Sequence, residues 1–205
     1  MEFLDVVDKN GIPTGEIVGR ETAHQNGIRH RTSHVWLVRN YAEKLQVLLQ
    51  KRSQNKDSFP GCYDISSAGH IPAGDGFLAS ALRELKEELG VSAAANELIY
   101  CGQRQFEYKE VFAGQSFWDR QVSNIYALWR DKEATFTLQK SEVESVLWMD
   151  WDSCLDMVET KQAPNCISIE ELNMIFSVIK LINTPRKNYL WSKGCKVRNC
   201  RSTVD

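Results

Sequence analysis

The sequence predicts an α/β fold, a mixed sheet flanked by helices, and three observations carry that prediction. Strand-like stretches come first, one helix-period stretch follows at residues 77–89, and strand-like and then helix-period stretches return after it. The Asn10-Gly11 pair between short apolar runs is a hairpin signal, which adds an N-terminal β extension. The final periodic stretch stops before Pro185, a residue that cannot continue a helix.

Taken in order, "FLDVVDKNGIPTGEIVG" reads as two short strands around that turn. "SHVWLVRN" and "KLQVLLQKRS" read as strands joined by a polar turn at residues 41–44. A Gly-containing loop then leads into the helix. "ELIYCGQRQFEY" and "RQVSNIYALWR" read as another strand pair, linked by a loop rich in Gly and aromatics at residues 112–118. "SVLWMDW" is a short strand, residues 152–159 a short helix, and "ISIEELNMIFSVIKLIN" an amphipathic helix.

Length and charge narrow the function classes. A chain of 205 residues suits one domain with extensions and buries a sizeable core. A net charge of −2 and a pI near 6.1 leave no footprint for general nucleic-acid binding, so no stable nucleic-acid partner is expected. A small charged ligand is the better expectation. No stretch approaches the ~20 apolar residues of a membrane span, and "MEFLDVVDKNG" lacks the features of a signal peptide, so a cytoplasmic protein without membrane partners is expected. The six cysteines show no zinc spacing and read as reduced thiols, with Cys195 and Cys200 in a basic tail without apolar periodicity.

The helix at 77–89 holds the strongest chemical signal. At roughly 100° per residue, Leu78, Leu82, Leu85 and Leu89 share one stripe while Glu84, Glu87 and Glu88 gather on the other side. Glu84 and Glu88 form an i, i+4 like-charge pair with Glu87 beside them, an arrangement that costs a few tenths of a kcal/mol per pair unless a cation sits between them. Oxygen ligands grouped downstream of a Gly-containing loop suit Mg²⁺ holding a phosphate chain.

This stretch, "GHIPAGDGFLASALRELKEELGV", resembles the Nudix box, G-x5-E-x7-R-E-U-x-E-E-x-G-U with U apolar. Gly69, Arg83, Glu84, Leu85, Glu87, Glu88, Gly90 and Val91 match, and Asp75 stands where the first Glu belongs. The resemblance implies the Nudix α/β/α sandwich, with residues 1–31 as an N-terminal hairpin extension, 32–160 as the domain core, 161–190 as its C-terminal helix and 191–205 as a flexible tail. It also implies hydrolysis of a diphosphate linkage in a nucleoside diphosphate derivative. Glu84, Glu87, Glu88 and the Gly69 carbonyl would hold Mg²⁺ or Mn²⁺, Arg83 would orient Glu87, and Glu142 is a candidate base. Relatives often pair, which makes a homodimer through the N-terminal hairpin an expectation.

The flanks "GIPTG", "AHQNGIRHRTSHVW", "LLQKRSQNKDSFPG" and "DISSAGH" resemble the branch that holds isopentenyl diphosphate isomerases and hydrolase-like relatives. By that resemblance His24, His30 and His70 match histidine ligands, as second-metal or substrate contacts, and Lys51, Arg52 and Lys56 match cations for a diphosphate. Phe59, Tyr63 and Trp118 would line the pocket, while His34 reads as structural. Ala68 occupies the position of the isomerases' proton-transferring cysteine and Gln121 that of its acidic partner. Neither residue can act as an acid or base, so an isomerase is the weaker alternative. A non-hydrolytic nucleotide-binding module is the second, and the full set of box acids weighs against it. Which diphosphate, which base and how many metal ions are left open by the sequence.

Overall fold

The computed structural model describes residues 2–56, 58–112, 114–130 and 134–183. The expectations for the tail, including Pro185, Cys195 and Cys200, lie outside the described residues. Strands β1 (Phe3–Val7) and β2 (Pro13–Gly19) form the N-terminal hairpin, a separate two-stranded sheet. Its turn is organised by Asp8, whose Oδ1 accepts from the backbone N–H groups of Asn10 and Ile12 at 2.8 and 2.9 Å, and Gly11 takes a positive φ of 78°.

The main sheet centres on β3 (His30–Tyr41). The other strands of this sheet are β4 (Lys44–Arg52), β5 (Tyr63–Asp64), β6 (Ser67–His70), β7 (Ile99–Phe112), β8 (Gln115–Trp129) and β9 (Val143–Asp150). One edge of β3 pairs in parallel with β8 over residues 30–38. The other edge is shared by two antiparallel partners: β4 meets residues 38–41 and β6 meets residues 32–35. β4 likewise carries β9 on one edge, and β3 and β5 on the other. The β3–β4 hairpin therefore splays, and β5 and β6 fill the wedge. This opening positions the site.

Alternation along β3 divides the core between two faces. Val35 and Leu37 pack with Ala81, Leu85 and Leu89 of α2 (Phe77–Leu89). Trp36 and Val38 pack on the other face with α3 (Trp151–Thr160) and α4 (Ile169–Asn183). Each fully buried leucine contributes about 1.5–3 kcal/mol relative to an exposed one. The layering is α/β/α, as the box implied.

Four expectations need correction. Residues 20–26, a connecting stretch to which the sequence assigns no element, form helix α1 (Arg20–Asn26), whose sole buried residue is Ala23, so it had no apolar period to reveal it. It is closed by Gly27 in the left-handed region, where a side chain would strike the Trp118 ring. Residues 112–118, read as loop, belong mostly to a tight hairpin in which Phe112 faces Gln115. His70 lies on strand β6, not in a loop. Along α2, Leu78 is 36% exposed whereas Glu88 is 6% exposed. Glu88 projects only about 20° from Ala81 around the helix, at the rim of the apolar face rather than opposite it.

Candidate active site

One cavity of about 680 Å³ opens where the sheet splays. Its walls bring together Gly69, His70, Arg83, Glu84, Glu87, Glu88, His24, Arg52, Lys56 and Glu142, which the sequence scatters over more than half its length. His30 lies buried directly behind His24 and His70, with ring centroids 5.1 Å from each.

The acidic wall is made by α2 lying against β6. Gly69 lets the two approach: a Cβ there would sit 2.1 Å from the Glu84 carboxylate. The Ala68 N–H donates to Glu88 at 3.2 Å. Arg83 spans the group, donating to Glu84 at 2.7 Å, to Glu87 at 2.8 Å and to the His70 carbonyl at 3.3 Å. Burial raises Glu88 to about 8. Burial also raises Glu84 to about 7, against the pull of Arg83. Carboxylates this costly to ionise in a dry corner call for a proton or a metal ion, and hard oxygen donors suit Mg²⁺ or Mn²⁺. Asp75 stands apart. The helix begins at Gly76 without a side-chain cap, and the Asp75 backbone carbonyl accepts from Arg31 at 2.9 Å.

Next to it lies a histidine wall. Ligand atoms of His24, His30 and His70 fall within 4.8 Å of one another. His30 Nδ1 is 2.9 Å from the Ile28 carbonyl, so that nitrogen carries the proton and Nε2 keeps its lone pair. That Nε2 lies 3.4 Å from Asp119 Oδ1, and both atoms are buried without a hydrogen-bond partner. Burial lowers His24 to about 3 and His30 to about 4, takes His70 well below its usual value, and raises Asp119 to about 7. Neutral imidazoles beside a buried carboxyl are a donor set for a borderline cation. Asp119 was missed in the sequence; it sits two residues before Gln121, on the same face of β8, and that alternation was the available signal.

The cations divide. Lys56 pairs with Glu142 on the cavity wall. Arg52 lines the cavity, but it donates to Asp64 at 3.0 Å and to the Ser58 carbonyl at 3.0 Å, which shapes the following loop. Lys51 is not brought to the site: it alternates to the opposite side of β4 and pairs with Glu144 at 2.9 Å. Arg20, on α1, lines the cavity instead and was missed along with its helix. Of the aromatics, Phe59 lines the cavity, joined by Phe106, Tyr108 and Phe117. Tyr63 and Trp118 do not. Trp118 donates to Glu107 at 2.9 Å and lies under Lys109, 4.5 Å from its ring centre.

The far wall holds a fixed ionic cluster. His34 Nδ1 lies 2.9 Å from Glu171, which also accepts from Trp36 Nε1 at 3.2 Å and from Arg104 at 3.1 Å. Burial opposes a charge on His34, but the Glu171 carboxylate outweighs it and raises the imidazole.

Comparison with known proteins matches the NUDIX domain over residues 29–166. Nudix hydrolase 3 of Arabidopsis thaliana is 37% identical over 187 residues, covering 87% of this chain but 23% of that longer protein. An uncharacterized Nudix hydrolase of Clostridium acetobutylicum is 33% identical, covering 94% of this chain and 86% of that one. Among solved structures, a protein of Deinococcus radiodurans superposes with a TM-score of 0.61 at 19% identity, covering 85% of this chain and 98% of that chain. The NUDIX domain of Shewanella oneidensis NrtR, complexed with ADP ribose, superposes with a TM-score of 0.51 at 18% identity, covering 74% and 87%. At these identities the structures share the fold alone.

Proposed function

This chain belongs to the Nudix hydrolase family, and from that premise we propose that it hydrolyses a diphosphate linkage in a nucleoside diphosphate derivative, with a divalent cation at the acidic wall. The observation that carries the reading is the contact of α2 with β6, which gathers Glu84, Glu88 and the Gly69 backbone in one corner under Arg83. Mg²⁺ or Mn²⁺ there would neutralise phosphate oxygens and acidify a water.

Residues of this chain would do the rest. Glu84, Glu87, Glu88 and the Gly69 carbonyl supply hard oxygen ligands. Arg83 holds Glu84 and Glu87 in place through its two terminal nitrogens. Lys56, Arg20 and His70 face the phosphates, and charge neutralisation with positioning supplies most of the rate in phosphoryl transfer. Glu142, tethered by Lys56, is the candidate proton acceptor. His24, His30, His70 and Asp119 suit a second cation, in keeping with the resemblance of the flanks to the isomerase branch. Nothing favours isomerisation itself, because Ala68 and Gln121 cannot exchange a proton. We take the protein to be cytoplasmic; among the described residues no helix is long and apolar enough to cross a membrane.

The test is a panel of nucleoside diphosphate derivatives incubated with Mg²⁺ or with EDTA while nucleotide and phosphate products are followed. Turnover of at least one member that EDTA abolishes supports the reading. No turnover under any metal overturns it.

A further inference from the structure

We propose that His34, oriented by Glu171, is the specificity-determining donor for the moiety beyond the diphosphate, and that it selects oxygen-bearing moieties over hydrocarbon. It rests on the hydrolase reading only in taking the acidic wall as the diphosphate end of the cavity.

The geometry has three parts. His34 lines the cavity on β3, and its Nδ1 side is occupied by Glu171. Glu171 does not move freely: it is 2% exposed and also receives Trp36 and Arg104, so the imidazole is held in one orientation. Its residue partner across the β3–β6 pairing is Ala68, which is too small to cover the ring. The other nitrogen, Nε2, has a 3.4 Å contact with Thr32 Oγ1. That hydroxyl already has Ser123 Oγ at 2.6 Å and Gln121 Oε1 at 3.2 Å. Thr32 gives its own proton to Gln121 and can still accept from Nε2, but at 3.4 Å that is the longest contact His34 makes in the cluster; with the Glu171 carboxylate favouring the charged imidazolium, Nε2–H is the donor that a ligand oxygen can draw away.

The surroundings set the class of ligand. A cavity of about 680 Å³ is in the range that encloses a drug-sized molecule, far more than a five-carbon chain fills. A hydrocarbon tail placed there would bury His34, Arg104 and Gln121 against carbon, which costs free energy that an oxygen-bearing group avoids. Phe106 and Tyr108, whose rings are nearly parallel at 8°, and Phe59 give the same chamber flat apolar walls. A ribose or glycosyl group attached to a planar ring satisfies both. His34 itself lies within the residues matched by the family pattern, but Glu171, which orients it, lies on α4 beyond them, so the orienting carboxylate comes from an element outside the matched segment.

The test measures binding with Mg²⁺, using non-hydrolysable methylene-bridged analogues of pyrophosphate, ADP-ribose, UDP-glucose and isopentenyl diphosphate. His34→Leu should weaken the tighter of the two nucleotide probes by about tenfold or more, in line with loss of a charged hydrogen bond, while pyrophosphate analogue binding changes less than twofold. His34→Gln, which keeps a donor, should recover at least half of the lost affinity on a logarithmic scale. Equal losses for both probes, or no loss for either, overturn the proposal. If His34→Leu does not fold, the wild type decides: it must bind a nucleotide probe at least tenfold more tightly than the isopentenyl probe, and equal binding overturns the proposal. Binding and turnover are read separately. Selective loss of binding without any hydrolysis by the wild type would sink the hydrolase reading and leave this one standing.

Discussion

Gly69 on β6 and Glu84 on α2 are in such close contact that a single methyl group on Gly69 would occupy the place of the Glu84 carboxylate. The neighbour in the way is the far end of a flexible side chain, so Gly69→Ala is accommodated by swinging Glu84 aside. The consequence is a separation of stability from activity. Gly69→Ala should melt within about 3 °C of the parent, a change of roughly 1 kcal/mol, yet lose at least about tenfold in turnover and need more Mg²⁺. Parental turnover would mean that the Glu84 carboxylate is not used where it stands.

Glu87→Gln and Glu88→Gln should each fold and lower turnover by at least about a hundredfold, the usual scale for removing a metal-holding or proton-accepting carboxylate. Steady-state kinetics on the best substrate of the panel checks this. Near-parental rates in both would move the chemistry elsewhere.

Glu88 also predicts a pH effect on the metal-free protein. Its folded value is raised from 4.5 to about 8. The stabilisation that accompanies the bound proton is therefore complete below the unfolded value and disappears as pH rises through about 8. In EDTA, the melting temperature of the parent should fall between pH 6 and pH 9 more steeply than that of Glu88→Gln, and the variant should be the more stable by at least about 3 °C at pH 8.5. Parallel profiles would show that burial does not hold this proton. Added Mg²⁺ should reverse the order, because the ion replaces the proton in the parent alone.

The two lysines give a paired test of position. Lys56 lines the cavity and Lys51 does not. Lys56→Ala should raise KM about tenfold or more with a smaller change in kcat. Lys51→Ala should leave both within about twofold, since an exposed pair is worth about 0–1 kcal/mol. Similar effects from the two would contradict the strand alternation.

Much of this was legible in the sequence, for identifiable reasons. The box stretch could be read because helix period and acid spacing record the same geometry twice. The β3 and β4 strands could be read because each carries a short, largely apolar run, buried on both faces of the sheet. Helix α1 could not, since with Ala23 as its one buried residue it is held by Gly27 and by packing on β8 rather than by an apolar stripe. Asp119 was hidden for a related reason: its partners His24 and His30 lie about ninety positions earlier, His30 meeting it through the parallel β3–β8 pairing and His24 through the packing of α1 on β8. Lys51 and Arg52 are neighbours in sequence, and only the pairing of β4 tells which of them faces the cavity.

The isomerase alternative makes a separate prediction. The protein should not interconvert isopentenyl and dimethylallyl diphosphates with Mg²⁺, Mn²⁺ or Zn²⁺, because Ala68 has no titratable group and Gln121 is engaged by Thr32 and Asp119. Following the isomer ratio against a no-enzyme control checks it. Steady conversion would overturn the carry-over of residues from the isomerases.

Hydrolysis in ¹⁸O-labelled water tests the central claim most directly. With the best substrate of the panel and Mg²⁺, the label should appear in a phosphate group of one product, and EDTA should stop its incorporation. Cleavage that proceeds unchanged in EDTA, or products whose phosphates carry no label, would contradict a metal-dependent attack of water on the diphosphate.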